Sequence, residues 1–360
     1  MGVVCLNCAR AYPESGVPYR CPRCGGLFDD LEPVIWHDPD PTQPGIWRYW
    51  RSLHNQGIRV SLGEGQTPLV DALVAARRVF FKCEYANPTG SFKDRGSATL
   101  ISVLSARGVV DAVEDSSGNA GASFAAYAAR SGMRARVFVP DSASGLKRRQ
   151  IEAYGAELVP VPGSRSDTAA AALRASEQGA VYASHAHLPF NLTGYATAAF
   201  EIVEQLSAVP GAVLAPTGQG GLLLGMARGF LGLKQAGAID RVPKLVGVQA
   251  VACAPLAACF EIGINGLDLV TEGKTLAEGV RVRNPLRLQS VVSSVRESGG
   301  CFVTVDESDI LPGRDSLARL GFYVEPTSAL VWKGLQLVVE QLPDPVVVIL
   351  TGSGHKWAMN

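Results

Sequence analysis

The chain has 360 residues, of which 47% are apolar and 18% charged, as expected for an α/β protein with a large buried core. Its 33 Lys and Arg residues balance its 33 Asp and Glu residues, which argues against a nucleic-acid or membrane partner. No apolar run approaches the length of a membrane span, and no basic region followed by an apolar one opens the chain. A cytoplasmic protein is therefore expected.

Two Cys-x2-Cys pairs lie near the start of the chain: Cys5 and Cys8, then Cys21 and Cys24. This spacing is typical of a tetrahedral site of four thiolates, so residues 1–30 are predicted to form a zinc ribbon. Two disulfides or free thiols are the alternative. Because four thiolates fill the coordination shell, the zinc would be structural. Such a ribbon also occurs in nucleic-acid-binding modules, but the neutral charge balance and the long remainder of the chain argue against that use.

The rest of the chain alternates predicted strands and helices. The predicted strands are Val79–Tyr85, Val109–Val113, Arg136–Val139, Ala156–Val161, Ala180–Ser184, Ala212–Ala215, Lys244–Val248 and Val346–Leu350. The predicted helices begin near Ser97, near Ala120 and after Gly221, or span Ser144–Tyr154, Asp167–Gln178 and Thr193–Leu206. This alternation predicts an α/β fold whose mostly parallel sheets carry helices on both faces.

The residues from Ala86 to Ser97 contain the clearest candidate for a reactive side chain, Lys93. Pro88 and Gly90 predict a turn after a β-prone run, and Ser91 can cap a helix that follows. Lys93 is then in the first turn of a helix at the carboxyl end of a strand. Since the helix dipole disfavours a cation there, we expect Lys93 to have a lowered pKa or to be covalently modified. A solvated surface lysine is the alternative.

Two further loops are predicted at the carboxyl ends of strands, where open α/β sheets bind ligands. Ser116-Ser117-Gly118-Asn119 opens a helix with exposed amides that suit a carboxylate or phosphate. The other loop is a glycine-rich turn whose amides could hold a phosphate: Thr217, Gly218, Gln219, Gly220 and Gly221. A reactive lysine together with a phosphate loop predicts pyridoxal 5'-phosphate as the cofactor.

With these motifs the chain resembles the threonine synthases. The resemblance rests on Asn87–Gly96, Ser117-Gly118-Asn119 and Thr351-Gly352-Ser353-Gly354, and it extends from about Leu62 to the C-terminus. That family belongs to the tryptophan-synthase-β-like (fold type II) pyridoxal phosphate enzymes, and many members carry a four-cysteine ribbon. The resemblance implies a two-lobed α/β fold, with a large cofactor-binding domain at residues 31–95 and 197–360 and a smaller mobile substrate domain at 96–196.

The resemblance also implies roles for individual residues. Lys93 would carry the cofactor covalently as a Schiff base and move substrate protons. Asn119 would bind the phenolic oxygen of the cofactor, and Thr351 would face its pyridine nitrogen. The cofactor phosphate would receive amides from the glycine-rich loop, namely Thr217, Gly218, Gln219, Gly220 and Gly221. Ser116 and Ser117 would bind the substrate carboxylate.

The chain departs from the family pattern where substrate phosphate is bound. Ala120 stands where the threonine synthases usually have Thr, and the segment from His185 to Asn191 lacks their usual Arg. Loss of a bidentate Arg removes a charge-assisted contact that phosphate favours. Ala120, His185 and Asn191 are the candidate substrate-binding residues. Compensating cations could come from five side chains: Arg148, Arg149, Arg165, His185 and His187. The alternative is a leaving group other than phosphate.

The sequence therefore predicts a pyridoxal phosphate lyase acting on a small amino-acid substrate. The nearest activity is conversion of O-phosphohomoserine and water to threonine and phosphate. The first alternative is β-replacement or β-elimination on a serine or threonine derivative, as in cysteate-synthase-like or dehydratase-like relatives. The second is a non-catalytic zinc-ribbon regulatory protein on the same scaffold. A homodimer is expected only by analogy with the family.

Overall fold

The structure, a computed structural model, describes residues 2–31, 34–53, 57–141, 145–163 and 165–357. The chain forms two compact units, each built from two separate stretches of sequence. The first unit comprises the described parts of Met1–Glu64 and Lys93–Gly194, and the second those of Gly65–Phe92 and Tyr195–Met359. The assignment of a cofactor-binding domain and a mobile substrate domain stays a prediction.

The elements follow in chain order. The strands are β1 (Val3–Cys5), β2 (Phe28–Asp30), β3 (Leu69–Val74), β4 (Arg77–Lys82), β5 (Asp111–Glu114), β6 (Arg134–Pro140), β7 (Glu157–Val161), β8 (Val181–Tyr182), β9 (Ala212–Pro216), β10 (Lys244–Ala250), β11 (Cys301–Val305) and β12 (Val346–Ile349). The α-helices are α1 (Lys93–Ala106), α2 (Asn119–Ser131), α3 (Leu146–Ala153), α4 (Arg165–Glu177), α5 (Asn191–Leu206), α6 (Gly221–Gln235), α7 (Pro255–Ile262), α8 (Leu288–Glu297), α9 (Glu307–Arg319) and α10 (Pro326–Val338). Short 3-10 helices lie at Gly45–Tyr49, Glu84–Ala86, Ile264–Leu269, Glu278–Val280, Val339–Gln341 and Gly354–Lys356.

The first unit contains a four-stranded parallel sheet in the order β7-β6-β5-β8. The buried apolar positions of β5 and β6 are Ala112, Val113, Ala135, Val137, Phe138 and Val139. The ribbon pairs β1 with β2 in antiparallel register, and its Val3 and Phe28 share one apolar core with Leu104 of α1. The ribbon is therefore packed into this unit.

The second unit contains a six-stranded sheet in the order β11-β10-β9-β12-β4-β3, and β3 alone among these strands runs antiparallel to its neighbour. The last strand, β12, lies between β9 and β4 and is buried along its whole length. Its sequence Val346-Val347-Val348-Ile349 is the continuous apolar run expected of a central parallel strand.

A charged cluster is buried at the end of β4 in the second unit. The ammonium of Lys82 donates to Glu201 Oε2 at 2.7 Å, to Gln205 Oε1 at 2.8 Å and to the Thr67 carbonyl at 2.7 Å. The other oxygen of Glu201 accepts from the amide of Gln66 at 2.7 Å. Lys82 and Glu201 are almost inaccessible to solvent, so each charge is compensated by the other and by hydrogen bonds.

The predicted α/β class with parallel sheets is confirmed, and each predicted strand has a counterpart displaced by a few residues at most. The helix predicted from Ser144 is observed as α3, although Ser144 itself lies outside the described residues. The sequence interpretation did not identify β3, β11 or helices α7–α10. None of the helices in the described ranges combines the length and apolarity that a membrane crossing needs.

Candidate active site

Lys93 is the first residue of α1, as its motif predicts. Its side chain is partly buried, and burial lowers the pKa of the ammonium to about 8 from its ordinary value of 10.5. The charge of Glu114 acts in the opposite direction and raises this pKa. The predicted direction of the shift is confirmed, but its main cause is burial. Lys93 consequently has far more neutral amine near pH 7 than an ordinary lysine.

Glu114 ends β5 and is 1% exposed. Its Oε1 lies 2.8 Å from Nδ1 of His185, whose ring is partly exposed. A contact of this length with a buried carboxylate fixes the orientation of the imidazole ring. The sequence interpretation missed Glu114, although an acidic residue at the carboxyl end of a buried strand was the available signal. Glu114 thus links Lys93 electrostatically to the His185 segment.

The loop that follows Glu114 leads directly into α2. The Ser116 hydroxyl accepts from the amide of Gly118 at 3.3 Å, and both Ser116 and Ser117 are partly exposed. A Cβ at Gly121 would lie 1.8 Å from the Ser116 carbonyl oxygen, so only glycine permits this close approach. The turn presents Asn119 as the first residue of α2. Ala120, the next residue, is buried and offers no polar group.

Asn191 begins α5 and is 2% exposed. Its Nδ2 donates to the carbonyl of His185 at 2.7 Å, which closes the segment between the two residues into a loop. Its Oδ1 has no hydrogen-bond partner among the described residues. A buried acceptor of this kind is costly unless a ligand or water donates to it. This hydrogen bond joins His185 and Asn191, two of the candidate substrate-binding residues, at the ends of one loop.

The glycine-rich loop of the second unit connects β9 to α6. Gly220 has a φ of +81°, a conformation that favours glycine, and a Cβ there would lie 2.5 Å from Cγ2 of Val291. The side chain of Gln219 is held by a hydrogen bond, since its Oε1 accepts from the amide of Leu286 at 3.1 Å. The amides of the first turn of α6, which starts at Gly221, have no helical acceptors and suit an anion.

Thr217 precedes these glycines and is held by backbone and side-chain bonds. Its amide donates to the Val248 carbonyl at 2.8 Å, and its carbonyl accepts from Nε2 of Gln249 at 3.0 Å. A Cβ at Gly218 would lie 2.8 Å from the Gly279 carbonyl oxygen, so this position also tolerates no larger side chain. The loop is therefore rigidly held, as an anion-binding loop requires.

Thr351 lies just after β12 and is buried. Its amide donates to the hydroxyl of Ser328 at 2.9 Å, and its carbonyl accepts from the amide of Phe92 at 3.0 Å. The Thr351 hydroxyl has no hydrogen-bond partner in the described part of the chain. Phe92, which donates this backbone bond, is the residue immediately before Lys93 in the chain.

The turn before Lys93 is held by the residues that follow Thr351. Ser91 forms an isolated bridge with Gly352, and the amide of Ser353 donates to the Gly90 carbonyl at 3.0 Å. The ammonium of Lys356 donates to the Thr89 carbonyl at 2.7 Å. The sequence interpretation missed Lys356, because no local pattern connects it with a turn so distant in sequence.

The four cysteines of the ribbon converge, and all are free thiols. Their four sulfur atoms lie within 4.8 Å of one another. The Sγ atoms of Cys5 and Cys24 are 3.4 Å apart, and those of Cys8 and Cys21 are 3.8 Å apart. Sulfurs about 3.8 Å apart are what a tetrahedral zinc with bonds of about 2.3 Å requires. The donor set therefore fits the metal that the spacing predicts.

Comparison with known proteins gives concordant results. The family model described as "Pyridoxal-phosphate dependent enzyme" matches residues 60–352. The threonine synthase of Methanocaldococcus jannaschii is 32% identical over 98% of this chain and 92% of its own length. That of Synechocystis sp. is 36% identical over 86% of this chain and 82% of its own length. Among solved structures, a threonine deaminase of "T.th." is 27% identical, with a TM-score of 0.68 over 81% of this chain and 94% of that one.

Proposed function

Because this chain belongs to the pyridoxal-phosphate dependent enzymes, we propose that it is a lyase that converts O-phosphohomoserine and water to threonine and phosphate. The observation that carries the proposal is the similarity to a threonine synthase over 98% of the chain, which includes the ribbon as well as the catalytic body. A non-catalytic regulatory role is disfavoured by the retention of Lys93, Asn119 and the glycine-rich loop.

Three features support the fit of the residues to pyridoxal phosphate. Lys93 offers an amine of lowered pKa for covalent attachment. The cofactor phosphate needs a rigid loop of amides, and the chain offers one at Thr217, Gly218, Gln219, Gly220 and Gly221. The buried hydroxyl of Thr351 has an unused hydrogen bond to give to the pyridine nitrogen. Asn119 is proposed to bind the phenolic oxygen from the first turn of α2.

When bound, the cofactor supplies an electron sink for the charge that remains after loss of the substrate α-proton. Lys93 Nζ is proposed to remove and return protons, for which a pKa near neutrality is well matched. Ser116 and Ser117 are proposed to bind the substrate carboxylate through hydroxyls and amides. Thr351, a neutral hydroxyl, does not force a proton onto the pyridine nitrogen, which suits elimination and replacement better than transamination.

His185 is proposed to bind the leaving phosphate in place of the missing arginine. Its Nδ1 contact with Oε1 of Glu114 holds the ring in place, which supports use of the other ring nitrogen for a hydrogen bond to phosphate. Asn191 and Ala120 are proposed to line the same substrate region. The arginine Arg148 is engaged with Glu152 at 3.6 Å, which makes it a weaker candidate.

Cys5, Cys8, Cys21 and Cys24 are proposed to bind one structural zinc ion, supported by their convergent sulfurs. A homodimer and a cytoplasmic location are also proposed, the first by analogy with the family and the second from the free cysteines and the biosynthetic relatives. The substrate is proposed to be a small amino acid, without a nucleic-acid or membrane partner.

The alternative reaction is β-replacement or β-elimination on a serine or threonine derivative. It is favoured by Ala120 and by the absence of arginine between His185 and Asn191. The similarity of the fold to a threonine deaminase is compatible with it. Threonine or O-phosphoserine would then be the substrate.

The experiment that separates these reactions is a visible spectrum of the holoenzyme, titrated in parallel with O-phosphohomoserine, O-phosphoserine and threonine. We expect a new long-wavelength band, with release of phosphate and threonine, on addition of O-phosphohomoserine alone. A response confined to O-phosphoserine or threonine would instead assign β-chemistry.

In the phosphate-release assay, His185→Gln should lower kcat/KM for O-phosphohomoserine by about 10- to 100-fold, because a hydrogen bond to a charged group is lost. The exposed His37 provides the matched control, and His37→Gln should leave kcat/KM unchanged.

The lowered pKa of Lys93 predicts how cofactor capture depends on pH. Only the neutral amine attacks an aldehyde, so the rate at which apoprotein takes up pyridoxal phosphate should rise with pH and level off above about 8. Stopped-flow visible absorbance measures this rate. Glu114→Gln should move the midpoint to lower pH, because the Glu114 charge raises the Lys93 pKa. A midpoint near 10.5, the ordinary lysine value, would contradict the proposal.

A further inference from the structure

The ribbon contacts the segment that carries His185 and Asn191. The ring of Tyr12 meets the ring of Phe190 edge-on, with centroids 5.2 Å apart, and also packs on Phe28 of the ribbon at 4.6 Å. Its hydroxyl donates to the Pro18 carbonyl at 3.0 Å, which holds the ring within the ribbon. Tyr12 is therefore held within the ribbon, and it contacts Phe190, the residue immediately before Asn191.

A second ring contact lies two residues beyond His185. Tyr19 meets His187 edge-on with centroids 5.4 Å apart, and it meets Tyr182 of β8 at the same distance. Tyr182 and His187 also contact each other at 5.5 Å, so the three rings form a closed cluster. Edge-on and tilted ring pairs of this kind are stabilising beyond the area that they bury. Tyr19 therefore holds His187 against the end of β8.

The ribbon is also tied to α1, the helix that begins with Lys93. Arg107, directly after α1, donates to the carbonyls of Pro13 and Gly16, each at 2.9 Å. Its guanidinium carbon lies 5.0 Å from the centre of the Tyr12 ring, a cation–π distance. The ribbon loop from residue 13 to 16 is thus fixed on the body by a side chain outside the ribbon.

The segment from Ser184 to Phe190 has little regular structure to hold it. It lies between β8 and α5, and its internal backbone bonds run from the amides of His187 and Leu188 to the Ser184 carbonyl. Side chains in such a loop keep their positions only if surrounding groups hold them. His187 and Phe190 are held by the ribbon, whereas His185 and Asn191 are the candidate substrate-binding residues.

We propose that the ribbon, through Tyr12 and Tyr19, positions the loop from Ser184 to Asn191 and thereby sets the affinity for substrate. Tyr12 and Tyr19 are positioning residues, since they act through Phe190 and His187. The inference rests on the proposed function for its effect on substrate affinity, but not for its effect on the loop. It gives the ribbon a function in substrate binding in addition to metal binding.

The test compares Tyr19→Ala and Tyr12→Ala with Tyr19→Phe in the full-length holoenzyme. Hydrogen–deuterium exchange of amides 185–192 should become faster in both alanine variants, while Tyr19→Phe should match wild type because it keeps the ring. KM for O-phosphohomoserine should rise about 3- to 10-fold with kcat within about 2-fold, as the loss of one or two ring contacts implies. Phe260→Ala, which removes a comparable edge-on contact with Phe302 in the second unit, should change neither quantity.

The hydrogen–deuterium exchange measurement tests the positioning of the loop independently of the proposed reaction. If O-phosphohomoserine is not turned over, faster exchange confined to amides 185–192 still supports positioning of the loop by the ribbon. Unchanged exchange and unchanged KM in the alanine variants would overturn the inference, and so would a fall in kcat with exchange accelerated throughout the first unit. If Tyr19→Ala does not fold, Tyr19→Leu preserves bulk without the aromatic edge and is judged by the same outcomes.

Discussion

Substitution of Lys93 by alanine is expected to lower kcat/KM by at least about 10³-fold. General acid–base transfer by a positioned side chain contributes about 10²- to 10⁴-fold, and the same substitution removes the amine that attaches the cofactor. Phosphate release from O-phosphohomoserine measures the loss of activity. The visible band of the bound cofactor should disappear as well, which provides a readout independent of the substrate.

Two further variants make this prediction specific. Lys93→Arg keeps the positive charge but cannot form the covalent bond, so it should be as inactive as Lys93→Ala. Lys234 is exposed in the last turn of α6, and Lys234→Ala should retain wild-type activity and spectrum. Activity above a tenth of wild type in Lys93→Ala would refute the role proposed for Lys93.

Substitution of Lys82 by methionine is expected to destabilise the protein by about 3–5 kcal/mol, because removal of one partner leaves the buried Glu201 carboxylate without its counter-charge. Gln205 Oε1 would also lose its bond from Lys82, whereas the Thr67 carbonyl would keep the bond that it accepts from Gln205 Nε2. The free energy of unfolding from urea titration measures the effect. Because its free energy of unfolding is lower, the variant should also unfold at a lower temperature.

The paired variant distinguishes a buried charge from simple loss of packing. Lys82→Met combined with Glu201→Met should recover much of the lost stability, since apolar replacement of both partners is often neutral or stabilising. Arg78 on the same strand pairs with Asp71 on the surface, and Arg78→Met should not change the unfolding midpoint measurably. Equal losses in Lys82→Met and the double variant would show that the ion pair is not the cause.

Local signals in the sequence are sufficient for much of the site. The Pro88–Gly90 turn places Lys93 at the start of α1, and each of the other two loops joins a strand to a helix as its glycines predict. Continuous apolar runs identify β9 and β12 because strands covered on both faces need no alternation. These features depend on residues close in the chain, which is why the sequence alone predicts them.

Features that depend on distant residues were not predicted. Lys82 meets Glu201, and Lys356 meets Thr89, through the packing of elements far apart in sequence. Strand β3 is an exposed antiparallel edge with Leu73 open to solvent, so its burial pattern does not alternate. Helix α9 contains Pro312, which normally ends a helix. In each case, tertiary context overrides the local pattern.

The position of β12 has a consequence for the order in which the protein matures during synthesis. The turn before Lys93 gains its bridge and hydrogen bonds from residues 351–356, and β4 gains its parallel neighbour only from β12. About 260 residues separate Lys93 from Lys356, which at roughly 5–20 residues per second is on the order of 13–50 s of translation. During that period the turn before Lys93 lacks these bonds, because the residues that form them have not yet been synthesised. Cofactor loading is therefore expected to follow emergence of the last strand, rather than to guide the folding of the growing chain.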